Sequence, residues 1–109
     1  MGEDSNPPAT DRLFHLLADS RRRYALRCLC EHATQLTLAD LADEVAVRER
    51  EMPIGEIPAE TVKRVYMALY HNHVPKLAEA NVVEYDQETD TIALGDNTEQ
   101  VEQYLDALE

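Results

Sequence analysis

Two short β-rich runs, Val-Val-Glu-Tyr at residues 82–85 and Thr-Ile-Ala-Leu at 91–94, flank the polar stretch Asp-Gln-Glu-Thr-Asp. A polar turn between two such runs predicts a β-hairpin. The segments before and after it carry the spacing of amphipathic helices, so the expected class is mainly α with a small β-hairpin. At 109 residues the chain accommodates one compact domain rather than two. It has Phe14 and five tyrosines but no tryptophan, so its core must rest on Leu, Val and Ala.

Residues 1–9 are polar, contain Pro7 and Pro8, and read as a flexible lead. Thr10 is then an N-cap for a short first helix with Leu13, Phe14, Leu16 and Leu17 on its apolar face. Ser20 serves the same purpose for "RRRYALRCLCEH", a second helix that is apolar almost all round after a basic first turn and should be central. Thr37 caps a third, with Asp40 three residues on and Leu38, Leu41, Ala42 and Val45 at helical spacing.

"MPIGEIPAE" breaks the pattern, after which Val62, Val65, Tyr66 and Leu69 mark a long fourth helix over 59–80. Around and beyond Pro75 the apolar positions, Val74, Leu77 and Ala78, are displaced around the axis. A proline removes a backbone hydrogen bond, which predicts a kink here. Residues 96–109 form a last amphipathic helix with Val101, Tyr104, Leu105 and Leu108 at i, i+3, i+4 and i+7.

This order is that of a winged helix-turn-helix, in which helices three and four form the helix-turn-helix and the hairpin is the wing. The runs "LTLADLADEV" and "HVPKLAEANVVEYD" are similar to the supporting helix and the end of the recognition helix in small prokaryotic winged-helix transcriptional regulators. Together with "SRRRYALRCLCEH", "KRVYMALYHNHVPKLAEANVVEYD" and the acidic composition, they resemble a haloarchaeal winged-helix family known mostly as a domain of unknown function. The likeness covers about residues 11 to 95 and implies a winged helix-turn-helix domain over 10–95. Asn81 stands where relatives usually have glycine, and asparagine tolerates the left-handed conformation that ends a helix.

The composition is strongly acidic: 22 Asp and Glu against 10 Lys and Arg give a net charge of −12. In dilute buffer such a chain repels nucleic acid and other copies of itself. At molar salt the Debye length is about 3 Å and both repulsions are largely screened. Acidic surplus with scarce lysine fits a salt-in halophile, so the charge describes the solvent more than the function. The opening "MGEDSNPPATDR" lacks the apolar core of a signal peptide, and no run approaches a membrane span. A cytoplasmic location with no membrane partner is expected.

His71 and His73 sit two apart, so on a helix they point about 200° from each other and do not form a metal pair. His73 falls on the stripe of Val62, Tyr66 and Leu69 and is expected to be packed and hydrogen-bonded; His71 falls opposite, with Arg64 and Met67. If the fourth helix enters a major groove, its reading face is Thr61, Lys63, Arg64, His71 and Asn72. Arginine pairs bidentately with guanine, and asparagine with adenine. The plain alternative is a solvated helix face.

Basic residues concentrate on residues 20–32 and 61–80. Arg21, Arg22 and Arg23 are candidates for phosphate contacts, with ion pairing to Asp11, Asp19 or the acidic tail as the equal alternative. Asp86, Glu88 and Asp90 at the wing tip argue against contact there. Cys28 and Cys30, with His32, lack a second ligand pair and read as structural cysteines.

The Asp-x-Glu-x-Asp of the turn lacks the glycine and terminal glutamate of a calcium loop. No catalytic pairing or phosphate loop is present, so neither enzyme activity, metal nor cofactor is expected. The reading is a DNA-binding transcriptional regulator acting on double-stranded promoter DNA, with a protein-interaction module of acidic working surface as the alternative. A homodimer is expected, through Val101, Tyr104, Leu105 and Leu108, together with Leu13 and Phe14.

Overall fold

The computed structural model describes residues 9–96 and 98–108. The expected flexible lead, apart from Ala9, lies outside them, as does Glu109. The elements are α1 (Ala9–Leu17), α2 (Ser20–His32), β1 (Leu36–Thr37), α3 (Leu38–Arg50), a 3₁₀ turn (Ile54–Glu56), α4 (Ala59–Ala68), a π-helical turn (Leu69–His73), α5 (Val74–Glu79), β2 (Val83–Asp86), β3 (Thr91–Leu94) and α6 (Thr98–Leu108). This is a mainly helical domain with a small antiparallel sheet, arranged as a winged helix-turn-helix with an added C-terminal helix.

Caps explain the helix starts. Thr37 Oγ1 accepts from the Asp40 amide at 3.0 Å, as expected for α3. For α2 the cap is Asp19 rather than Ser20: its Oδ1 accepts from the amides of Arg21 (2.8 Å) and Arg22 (3.2 Å). An ionised carboxylate there satisfies two orphan donors and meets the positive end of the helix dipole, which a hydroxyl does less well. Helix α1 spans Ala9–Leu17, with Thr10 among its residues; the expected Thr10 side-chain cap lies outside what is described.

The sheet has one strand more than the hairpin. Leu36 and Thr37 pair antiparallel with Ile92 and Thr91, and β3 pairs on its other edge with β2, from Val83↔Leu94 to Asp86↔Thr91. A two-residue strand has no period to read, and its hydrogen bonds depend on β3, so nothing local announces it. The pairing fastens the wing to the start of α3.

The core is aliphatic: Leu17, Leu26, Leu29, Leu38, Leu41, Leu69, Leu77, Ile92 and Leu105 are all almost fully buried. Helix α3 packs between α2 and α4 through Leu41, Ala42, Val45 and Ala46. Of the apolar face expected on α1, Leu13, Leu16 and Leu17 are buried, whereas Phe14 is half exposed and meets the Tyr104 ring at 5.1 Å.

The end of α5 shows how one residue is matched to its conformation. Asn81 has φ 62°, the Val82 amide bonds the Leu77 carbonyl at 2.9 Å, and the Asn81 amide bonds that of Ala78 at 3.0 Å. This is a Schellman motif, with Leu77 and Val82 both buried beneath it. Gly95 lies against the same turn, and a Cβ there would stand 2.5 Å from the Asn81 carbonyl oxygen. Helix α2 ends less comfortably, on Ala33 at φ 56°.

Two substitutions test these backbone readings by urea denaturation. Gly95→Ala should lower stability by about 1–3 kcal/mol through forced displacement of packed backbone. Ala33→Gly should raise it by about 1 kcal/mol, because the left-handed region disfavours a Cβ.

Candidate nucleic-acid interface

The α4–α5 segment is one continuous helical run with a π-helical turn at its centre, where the sequence predicts a proline kink. The Val74 amide bonds the carbonyl of Leu69, five residues back. Pro75 follows immediately and has no amide to offer. The π turn takes in one extra residue, worth about 100° of rotation. That rotation carries the buried stripe from Val65 and Leu69 to Val74 and Leu77.

The turn also delivers His73 to the interior, where it is 4% exposed. Its Nδ1 accepts from Arg22 Nε at 3.0 Å. Because a guanidinium only donates, this imidazole is neutral, with its proton on Nε2. Burial is the main cause that lowers the His73 pKa, with Arg22, Arg21 and Lys76 lowering it further and Asp19 opposing them.

The opposite face is open. Lys63, Arg64, Met67, His71 and Asn72 are exposed, while Thr61 is half-buried. Among the described residues neither Lys63 nor Arg64 has an ion-pair or hydrogen-bond partner. The His71 ring meets the Tyr70 ring edge-on at 4.9 Å.

Between this helix and the wing lies an aromatic cluster. Tyr66 and Tyr70 stack at 6.4 Å, and Tyr70 meets Tyr85 of β2 edge-on at 6.3 Å. Asp90 holds it: Tyr66 Oη donates to Oδ2 at 3.0 Å, Tyr85 Oη donates to Oδ1, and the Asp90 carbonyl accepts from the Leu38 amide at 2.9 Å. Burial first and the bonded carboxylate second push both phenol pKa values up.

Asp90 is therefore turned inward and braces the wing against α4 and α3, a different role from that of an acid at the tip. Asp86 accepts from the Glu88 amide at 2.9 Å, and both residues are exposed. The tyrosines at 66 and 70 have helical spacing in the sequence. Their partners Tyr85 and Asp90 come from the hairpin, and no local signal joins them.

The arginines at the start of α2 are engaged within the fold. Arg21 forms a two-point pair with Glu49, Nε to Oε2 at 2.5 Å and Nη2 to Oε1 at 2.8 Å. Arg22 is buried against His73 and the Leu16 carbonyl, and Arg23 donates to the Leu17 carbonyl. Phosphate contact by this trio would require these bonds to break.

Cys28 is fully buried, with its thiol pushed up to about 12 chiefly by burial. His32 Nε2 lies 2.7 Å from Glu44. Among the described residues no group of three or more His, Cys, Asp or Glu is placed to hold a metal ion.

Of the stripe on α6, Val101 and Leu105 are fully buried against the chain's own domain, where α6 packs on α1 and α2. Tyr104 is half-buried and Leu108 is exposed.

The His73 contact has a pH signature. Since its folded pKa lies below the ordinary 6.5, the contact's contribution is fully present above pH 6.5 and is lost as pH falls through the folded value. In an NMR titration the His73 ring should show a midpoint below 6.5, with the urea midpoint declining over the same range. A His73 midpoint above 6.5 would contradict this geometry.

Searches of curated proteins and of solved structures each found no match to this chain. A family described as a domain of unknown function, DUF7344, matches residues 14–93, from α1 to the third residue of β3. That span holds α2, α3, the whole α4–α5 run and nearly all of the wing, and the chain belongs to this family.

Proposed function

We propose that the protein is a DNA-binding transcriptional regulator that reads double-stranded promoter DNA through the exposed face of α4 and the π turn. The observation that carries this reading is the distribution of uncommitted positive charge. Of the ten lysines and arginines, Arg12, Arg21, Arg27 and Arg48 pair with carboxylates, while Arg22 and Arg23 donate to a ring nitrogen and to carbonyls. Among the described residues, those without such partners are Arg50, at the end of α3, and Lys63, Arg64 and Lys76 along α4–α5. In a winged helix these two helices form the helix-turn-helix, and the second enters the major groove.

His71 and Asn72 add hydrogen-bonding groups to the same exposed run. Arg64 and Asn72 are the side chains suited to guanine and adenine edges. The inward turn of Asp90 removes one carboxylate from the approach of DNA. The remaining acidic surface makes binding a property of concentrated salt, which suits a halophilic, archaeal cytoplasm.

A homodimer belongs to this reading, because doubling a half-site strengthens recognition by a small domain. With Val101 and Leu105 committed to their own domain, the surface left for it is Phe14, Tyr104 and Leu108, of which Phe14 is 50% and Leu108 48% exposed. The second reading, a protein-interaction module, draws on the exposed Asp86 and Glu88 of the wing.

Chromatin immunoprecipitation with sequencing would supply the promoter fragments, and fluorescence anisotropy in molar potassium chloride the affinities. Arg64→Ala and His71→Ala should each weaken binding by about 1–3 kcal/mol without lowering stability. Arg21→Ala should lower stability instead, through loss of its pair with Glu49. Unchanged affinity in both α4 variants would remove this helix as the reader.

A further inference from the structure

A groove of about 790 Å³ runs between α1 and α5, and its walls include Arg12, His15, Leu16, Ala18, Arg22 and Lys76. That volume lies within the range of small-molecule sites. Arg22 is the telling member, because it is 9% exposed and carries a positive charge with no carboxylate in ion-pair contact among the described residues. Its Nε donates to a neutral imidazole and its Nη1 to the Leu16 carbonyl at 3.3 Å. Its Nη2 has no acceptor among the described residues. Buried donors are almost always satisfied, and Asp19 at the start of α2, which attracts Arg22 electrostatically, makes no ion-pair contact that fills this edge.

We infer that this groove binds a small organic monoanion, a carboxylate whose head is received by Arg22 and whose short apolar body lies along Leu16 and Ala18. A guanidinium edge fits a planar carboxylate in particular. Lys76 and His15, both exposed and without partners among the described residues, supply further positive charge or hydrogen bonds at the mouth. Asp11 and Glu79 also line the groove, and Glu79 is 3.6 Å from Arg12. Their charge disfavours a dianion such as phosphate relative to a monoanion.

The site stands independently of DNA binding. A ligand there would touch Arg22, which holds His73 in the π turn, and Lys76 on α5, so occupancy would stiffen the segment that carries Arg64 and His71.

The test is an amide NMR titration of the full chain with sodium hexanoate, with hexanol and inorganic phosphate in parallel and ionic strength held constant. Hexanoate should give saturable shifts centred on His15, Leu16, Arg22 and Lys76, with weaker effects from hexanol and phosphate. Lys76→Gln, an exposed change that spares the core, should weaken hexanoate about tenfold, the size of one charge-assisted hydrogen bond. Shifts that do not saturate, that centre elsewhere, that hexanol or phosphate reproduces, or that Lys76→Gln leaves unchanged would overturn the assignment.

Discussion

The hydrogen bond from Arg22 Nε to His73 Nδ1 joins the second helix to the middle of the helical run that carries the candidate reading face. It sits where both partners are buried, so it requires a neutral imidazole and fixes the ring's tautomer. The π turn is what brings His73 to this position, and Pro75, one residue past the Val74 amide, is what makes an ordinary α-helical ladder unavailable there. The same turn leaves His71 and Asn72 outside. One local irregularity thus decides which side chains of "HNH" hold the domain together and which face solvent.

A second constraint fixes the wing. Asp90, in the left-handed conformation at φ 55°, accepts from Tyr66 and Tyr85 with its carboxylate and from the Leu38 amide with its carbonyl. Through it the hairpin turn is tied to α4, to β2 and to the first residue of α3. Because the two hydroxyls share one carboxylate, their contributions are coupled rather than additive. The antiparallel pairing of Leu36–Thr37 with β3 completes the attachment, so the relation between wing and α4 does not depend on the length of the short strands alone.

Much of this was legible in the sequence because the pattern is regular where the fold is regular. Leu38, Leu41, Ala42 and Val45 mark α3 at helical spacing and are all buried; Thr37 caps it and Asn81 ends α5 as their side chains suggest. The opposite placement of His71 and His73 followed from helical geometry.

What escaped the sequence is non-local. Strand β1 exists only through β3, and Asp90 belongs to the tyrosines of another element. Arg22 looks the same as its neighbours until the fold places His73 beside it. Asp19 replaced Ser20 as the cap because a carboxylate reached two amides. The spacing of the α6 stripe does not say which apolar surface covers it; Val101 and Leu105 are buried within their own domain.

DNA binding as proposed requires the exposed face of α4 and the π turn to meet the duplex while the arginines at the start of α2 remain inside the fold. Amide and side-chain NMR of the labelled protein, titrated with a promoter duplex in molar potassium chloride, observes both at once. Shifts should concentrate on residues 61–72, with the Arg21 and Arg22 guanidinium signals unmoved. Shifts centred instead on α6 or the acidic wing, or no shift at saturating duplex, would contradict it.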